Sequence, residues 1–150
     1  MPLPRISAIA ALTLVLLSTA AHAILSINEP WVRAAAHGRS AEFFVKLRSS
    51  EGASLSRVDS FAARRVEMRD GDSPNRLARI ELPPDTLVEL KAGSFHLRMS
   101  GLVRRLKLGE HVPVTLVVRT TDGLQQNVYV NAEVRHRSPS EDEMNPHSHR

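Results

Sequence analysis

The sequence of 150 residues contains no cysteine. That absence excludes disulfides, thiolate metal sites, a cysteine nucleophile, haem attachment through Cys-x-x-Cys-His and a lipid anchor on cysteine. Histidine, methionine and carboxylates are left as the only side chains able to hold a metal. Aromatic residues are scarce, with one Trp, one Tyr and four Phe, too few for the stacking platforms of a nucleic-acid binder. The net charge of +4 therefore reads as a solvated basic surface, open to an acidic protein partner or a membrane surface and not to nucleic acid. After residue 23 no apolar run is long enough to span a bilayer, so the mature chain is expected to have no transmembrane segment.

What is present begins with the first 23 residues. MPLPR is basic, ISAIAALTLVLL is continuously apolar, and Ala21-His22-Ala23 is a small-x-small cleavage pattern. Together they predict a signal peptide over residues 1–23, cut after Ala23, and an exported, soluble mature chain.

The following residues read as strands. WVRAAA, SAEFFVKLR, LSRVDSF, RRVEMR, RIELP, TLVEL, SFHLRM, VPVTLVVR and QNVYVNAEV alternate apolar with polar positions and are rich in β-branched residues. Turn residues separate them, among them Pro83-Pro84-Asp85, Ala92-Gly93 and Asp122-Gly123. The last of these predicts a terminal hairpin. The expected fold is all-β, an antiparallel Greek-key sandwich or small barrel over residues 24–134. From residue 135 to 150 the apolar periodicity stops and charge, Ser and Pro take over. That composition predicts a disordered tail.

Catalytic patterns are missing: no G-x-S-x-G elbow, no H-E-x-x-H helix and no phosphate-cradling glycine loop. Nothing pairs Glu67, Asp70, Asp72 or Glu81 as acid and base. The chain is not expected to be an enzyme.

The order WVRA, VEMR and ELKAGSFHLRMSGLVRRLKLGEHVPVTL resembles the exported copper-chaperone family written PCu(A)C, from about Ile27 to Val134. The resemblance implies a cupredoxin-like barrel, a periplasmic location, binding of Cu(I) or Cu(II), and exchange of copper with an exported copper-accepting or copper-donating protein or an oxidase subunit. The family holds Cu(I) with a histidine and methionines, soft or borderline ligands that favour this ion. Its H-x-M histidine corresponds to His96, but the methionine two residues on corresponds to Arg98. The ligand closing V-E-x-H corresponds to Arg69, and a loop methionine falls near Pro74 or Asn75. Three family ligand positions are thus replaced.

Strand parity speaks against Met68 and Met99 as substitutes. Side chains alternate between faces, so His96 goes with Arg98, while Phe95, Leu97 and Met99 form the apolar and presumptively inner set. By the same rule Met68 sides with Val66 and away from Glu67 and Arg69. A β-bulge could bring Met99 round to His96, but the sequence gives no reason to place one. His96 is left as either a surface histidine or a remaining ligand. The tail offers further candidates, since Met144, His147 and His149 place a thioether and two imidazoles within six residues, a set able to take Cu(II), Ni(II) or Zn(II) without prior structure. Two functions follow. One is copper handling through His96 or the tail. The other is a non-metal binding module of the same fold, docking an acidic partner through Arg69 and Arg98.

Overall fold

The computed structural model describes residues 24–144; the signal peptide expected over 1–23, and His147 and His149, lie outside these. Ten strands follow in order: β1 (Leu25–Ala34), β2 (Ser40–Ser49), β3 (Ala53–Asp59), β4 (Ala63–Asp70), β5 (Arg76–Leu77), β6 (Ile80–Leu82), β7 (Thr86–Leu90), β8 (Phe95–Leu102), β9 (His111–Thr120) and β10 (Gln125–Val134). A single short helix, α1 (Pro139–Met144), comes last. The all-β, cupredoxin-like expectation holds. Helix α1 falls within the segment from residue 135 onward expected to be disordered, and its Ser140 bonds to the barrel (below).

The strands form one nearly closed sheet in the order β5-β4-β8-β2-β1-β10-β9-β3-β6, with β7 also on β2. All pairings are antiparallel except one. β1 runs parallel to β10 through Trp31↔Glu133 and Val32↔Val134, so the sheet is not the wholly antiparallel one the sequence suggested. β2 changes partner at Phe44: residues 40–43 pair with β8 and 45–48 with β7. β6 pairs with β3, and the Pro83-Pro84-Asp85 turn carries the chain from β6 across to β7. Asp85 there donates its backbone N–H to the Ser49 carbonyl at 2.7 Å. The Asp122-Gly123 hairpin forms between β9 and β10 as expected, Gly123 taking a φ of 86° that a side chain would oppose.

Alternation makes the core. Phe43, Val45 and Leu47 of β2, Leu97 and Met99 of β8, and Val114, Leu116 and Val118 of β9 all point inward. Two departures from alternation are each matched by an irregularity. Leu55 and Val58, three apart, are both core residues, and the β3–β9 register slips between Leu55 and Arg57. Met99 and Leu102, also three apart, are both buried, and Gly101 between them has a φ of 62°. A third slip positions the candidate site. In β1 the register shifts between Asn28 and Trp31, and Glu29 lies at a φ of 49°. The extra residue sends Val32 into the core and turns Trp31 to the outer face.

Candidate functional site

The bulge in β1 aligns two rows of side chains across the outer face of four adjacent strands. The first row runs Trp31, Phe44, His96, Arg69. Trp31 pairs with Phe44 between β1 and β2, Phe44 follows Phe43↔Leu97 in the register between β2 and β8, and His96 pairs with Arg69 between β8 and β4. Ring centroids are 4.7 Å apart for Trp31–Phe44 and 6.5 Å for Phe44–His96. These three rings are buried but stand outside the main core cluster. They make a second, smaller apolar patch on the outside of the sheet.

The second row is a ladder of alternating charge: Arg33, Glu42, Arg98, Glu67, each opposite the next in register. Arg33 bonds Glu42 at 2.5 Å, and its guanidinium lies 5.2 Å from the Phe44 ring. Glu67 is bonded at 2.5 Å by Arg69, and Arg65 stands 3.7 Å away. The Arg69 hydrogen bond, together with the charges of Arg69, Arg65 and Arg76, holds the Glu67 carboxyl below the usual carboxylate range against the opposing effect of burial.

His96 is only 8% exposed, which overturns its reading as a surface histidine. Parity placed it correctly on the face of Arg98, but it is largely buried there, with the Phe44 ring packed beside it. Its Nδ1 lies 2.9 Å from the Ser94 carbonyl oxygen. A carbonyl can only accept, so Nδ1 carries a proton and donates it to Ser94, which leaves Nε2 as the ring nitrogen not used in that bond. Met68 and Met99 are both buried in the core cluster, on the opposite face from His96. The beside-strand neighbour of His96 is Arg69, a cation.

Tested against copper, this donor set does not fit. A Cu(I) seat needs thioethers or further imidazoles beside the histidine. Here both barrel methionines face away and guanidinium groups flank the ring. Among the described residues no three His, Asp or Glu side chains gather as a metal site. His37, His111 and His136 are exposed and apart from His96 in the sheet.

Arg69 and Arg98 reach the same cleft as His96, yet they differ. Arg69 is committed inward, bonding Glu67 and the carbonyls of Ser73 and Pro74, with its Nε–H buried and unpartnered. Arg98 is exposed and has no ion pair among the described residues. Sequence reasoning missed Glu67 as the counterweight of Arg69, and Glu42 as that of Arg33. The signal was present in the period-two spacing of Arg65, Glu67 and Arg69.

The tail does meet the barrel. Ser140 of α1 donates to Glu29 Oε2 at 2.7 Å and accepts from Lys46 Nζ at 3.1 Å, while Lys46 pairs with Glu29 at 2.7 Å. The segment 136–141 thereby borders a groove of about 350 Å³ beside Trp31 and Lys91. Met144 ends α1.

Comparison with known proteins agrees with this architecture. No curated protein sequence matches the chain. Among solved structures, the apo PCuAC domain from PmoF1 is 22% identical with a TM-score of 0.66, over 77% of this chain and 100% of that one. The copper-bound PCuAC domain from PmoF2 is 24% identical with a TM-score of 0.63, over 77% and 99%. The Cu(I) form of DR1885 from Deinococcus radiodurans is 22% identical with a TM-score of 0.61, over 79% and 84%. At these identities the likeness is one of fold. A family model described as LpqE-like matches residues 25–133, nearly the whole barrel, and the chain belongs to that family, with the fold of a PCuAC domain.

Proposed function

We propose that this chain is an exported periplasmic binding protein of copper handling, in which the barrel is not the Cu(I) seat and the C-terminal Met144, His147 and His149 capture the metal. The signal peptide read over residues 1–23 supports export, and the copper-bound relatives of the same fold support the cargo. One observation carries the division of labour: Met68 and Met99 are sealed in the core, while His96 is largely buried beside Phe44 and flanked by Arg69. A buried imidazole beside a guanidinium repels a cation that a pair of thioethers would attract. The tail sequence carries its thioether and imidazoles just beyond Ser140, which bonds to the barrel through Glu29 and Lys46. Exchange of cargo with an exported copper-accepting or copper-donating partner, such as an oxidase subunit, requires accessible ligands of this kind.

The test is an anaerobic Cu(I) competition titration of residues 24–150 against a chromophoric chelator, repeated with Cu(II). The triple variant Met144→Leu, His147→Gln, His149→Gln leaves the Ser140 contacts in place and is expected to lose at least tenfold in affinity. His96→Gln is expected to bind as the unaltered chain does. Tight Cu(I) binding that survives the triple change and disappears with His96→Gln would place the metal in the barrel and end this proposal.

A further inference from the structure

The outer-face cleft bordered by Arg65, Arg69, Arg98, Glu67, His96 and Ser100 has a volume of about 840 Å³. Its charges are unevenly satisfied. Arg33 and Glu42, at its rim, neutralise each other at 2.5 Å. Arg69 is held by Glu67 and by two backbone carbonyls. Both carboxylates opposite Arg98 in the register are therefore engaged elsewhere, and Arg98 keeps its five N–H donors unspent. Arg65 reaches Glu67 only at 3.7 Å and is 69% exposed. It sits opposite Ser100, two residues along β8 from Arg98. That is a diagonal cross-strand neighbour, within reach of a shared small ligand.

We propose that this cleft binds a small monocarboxylate, gripped by the Arg98 fork with Arg65 and the Ser100 hydroxyl beside it. The proposal stands apart from the copper reading and does not depend on it. Setting the Arg33–Glu42 pair aside, three arginines and two carboxylates, Glu67 and Asp72, line the cleft. One anionic charge balances that set. A dianionic phosphate would overbalance it and meet repulsion from Glu67, whose side chain is only 11% exposed and so little screened. A planar carboxylate also matches the guanidinium fork with two parallel hydrogen bonds. The row of rings from Trp31 to His96 packs along the same outer face as Arg98, and Arg69 bonds the Ser73 and Pro74 carbonyls of the adjoining loop.

The experiment follows the arginine Nε–H signals of residues 24–150 by nitrogen-15 NMR. Sodium acetate is titrated at constant ionic strength, with inorganic phosphate and chloride in parallel series. Acetate is expected to shift the Arg98 and Arg65 signals saturably in the millimolar range, while chloride gives only a linear drift. Arg98→Gln is expected to weaken acetate binding about tenfold, the worth of one charge-assisted bidentate contact. Arg98→Lys is expected to weaken it by roughly threefold or more, since an ammonium lacks the fork. Position 98 is exposed, so both variants should keep the native backbone amide spectrum. Linear drift with acetate, unchanged affinity in Arg98→Gln, or phosphate binding more tightly than acetate would each overturn the assignment. Binding of an acidic hexapeptide without binding of acetate would replace it with protein docking at the same arginines.

Discussion

Replacing Arg69 with Met retains most of its volume but strips Glu67 of its closest partner. In the native chain the pair is bonded at 2.5 Å with side chains 19% and 11% exposed, close to the buried regime. Breaking a buried pair from one side costs roughly 3–5 kcal/mol. Arg65, at 3.7 Å, and residual solvent lower the expectation to about 2–3 kcal/mol. For a domain of this size that is a melting temperature lower by roughly 8–13 °C, or a urea midpoint lower by about 1–2 M at unchanged slope. Glu67→Gln and the double variant complete a cycle whose coupling should be about 2 kcal/mol. A pH series adds an independent reading. The Glu67 carboxyl is held below its ordinary range by Arg69, so its contribution is complete above the unfolded carboxyl value and fades as pH falls through the lower, folded value. Arg69→Met should flatten the acid limb of stability relative to the native protein. A coupling under about 0.5 kcal/mol, the worth of an exposed pair, with an unaltered acid limb would refute the reading of Arg69 and Glu67 as a nearly buried, stabilising pair.

Three further outcomes are expected. Met68→Leu with Met99→Leu should leave Cu(I) competition unchanged and move stability by less than about 1.5 kcal/mol, because both are close-packed core residues; a loss of Cu(I) affinity would contradict the facing assigned to them. Ser140→Ala should speed proteolytic cleavage within residues 135–141 while global stability falls by less than about 1 kcal/mol. Acidification should act alike, since Lys46 and Ser140 hold the Glu29 carboxyl below its usual range and its protonation loosens the contact; equal cleavage rates at neutral pH would refute the docking. Gly101→Ala should cost about 1–2 kcal/mol by urea unfolding, as its φ is 62° and the added Cβ would stand 3.2 Å from Arg64 Cβ.

The strands were legible because alternation along β2, β8 and β9 is nearly unbroken, and the same alternation put Met99 on the inner face before any coordinates. The burial of His96 was not legible in that way. Parity assigns a face but says nothing of what packs around a residue there, and the ring beside His96 is Phe44, on a strand about fifty residues away in sequence. A hint existed in Phe43-Phe44, where two adjacent aromatics require apolar surroundings on both faces of the sheet at one point. The β1 slip was hidden too, since Ile27 and Val32 fit no single alternation unless a residue is looped out between them. The helix α1 escaped notice because six residues with no apolar stripe carry no helical period. Among the described residues its Ser140 hydroxyl bonds to the barrel at Glu29 and Lys46.

The parallel seam between β1 and β10 joins the first strand of the barrel to its last. As the chain emerges from its N-terminus, β1 has one flank filled early by β2, but the other flank waits for residues more than a hundred positions downstream. Loop closure over that distance must be met before the seam rewards it. The barrel therefore cannot close on a partly made chain. Closure of that seam waits for β10, which makes it one of the last contacts a growing chain can form.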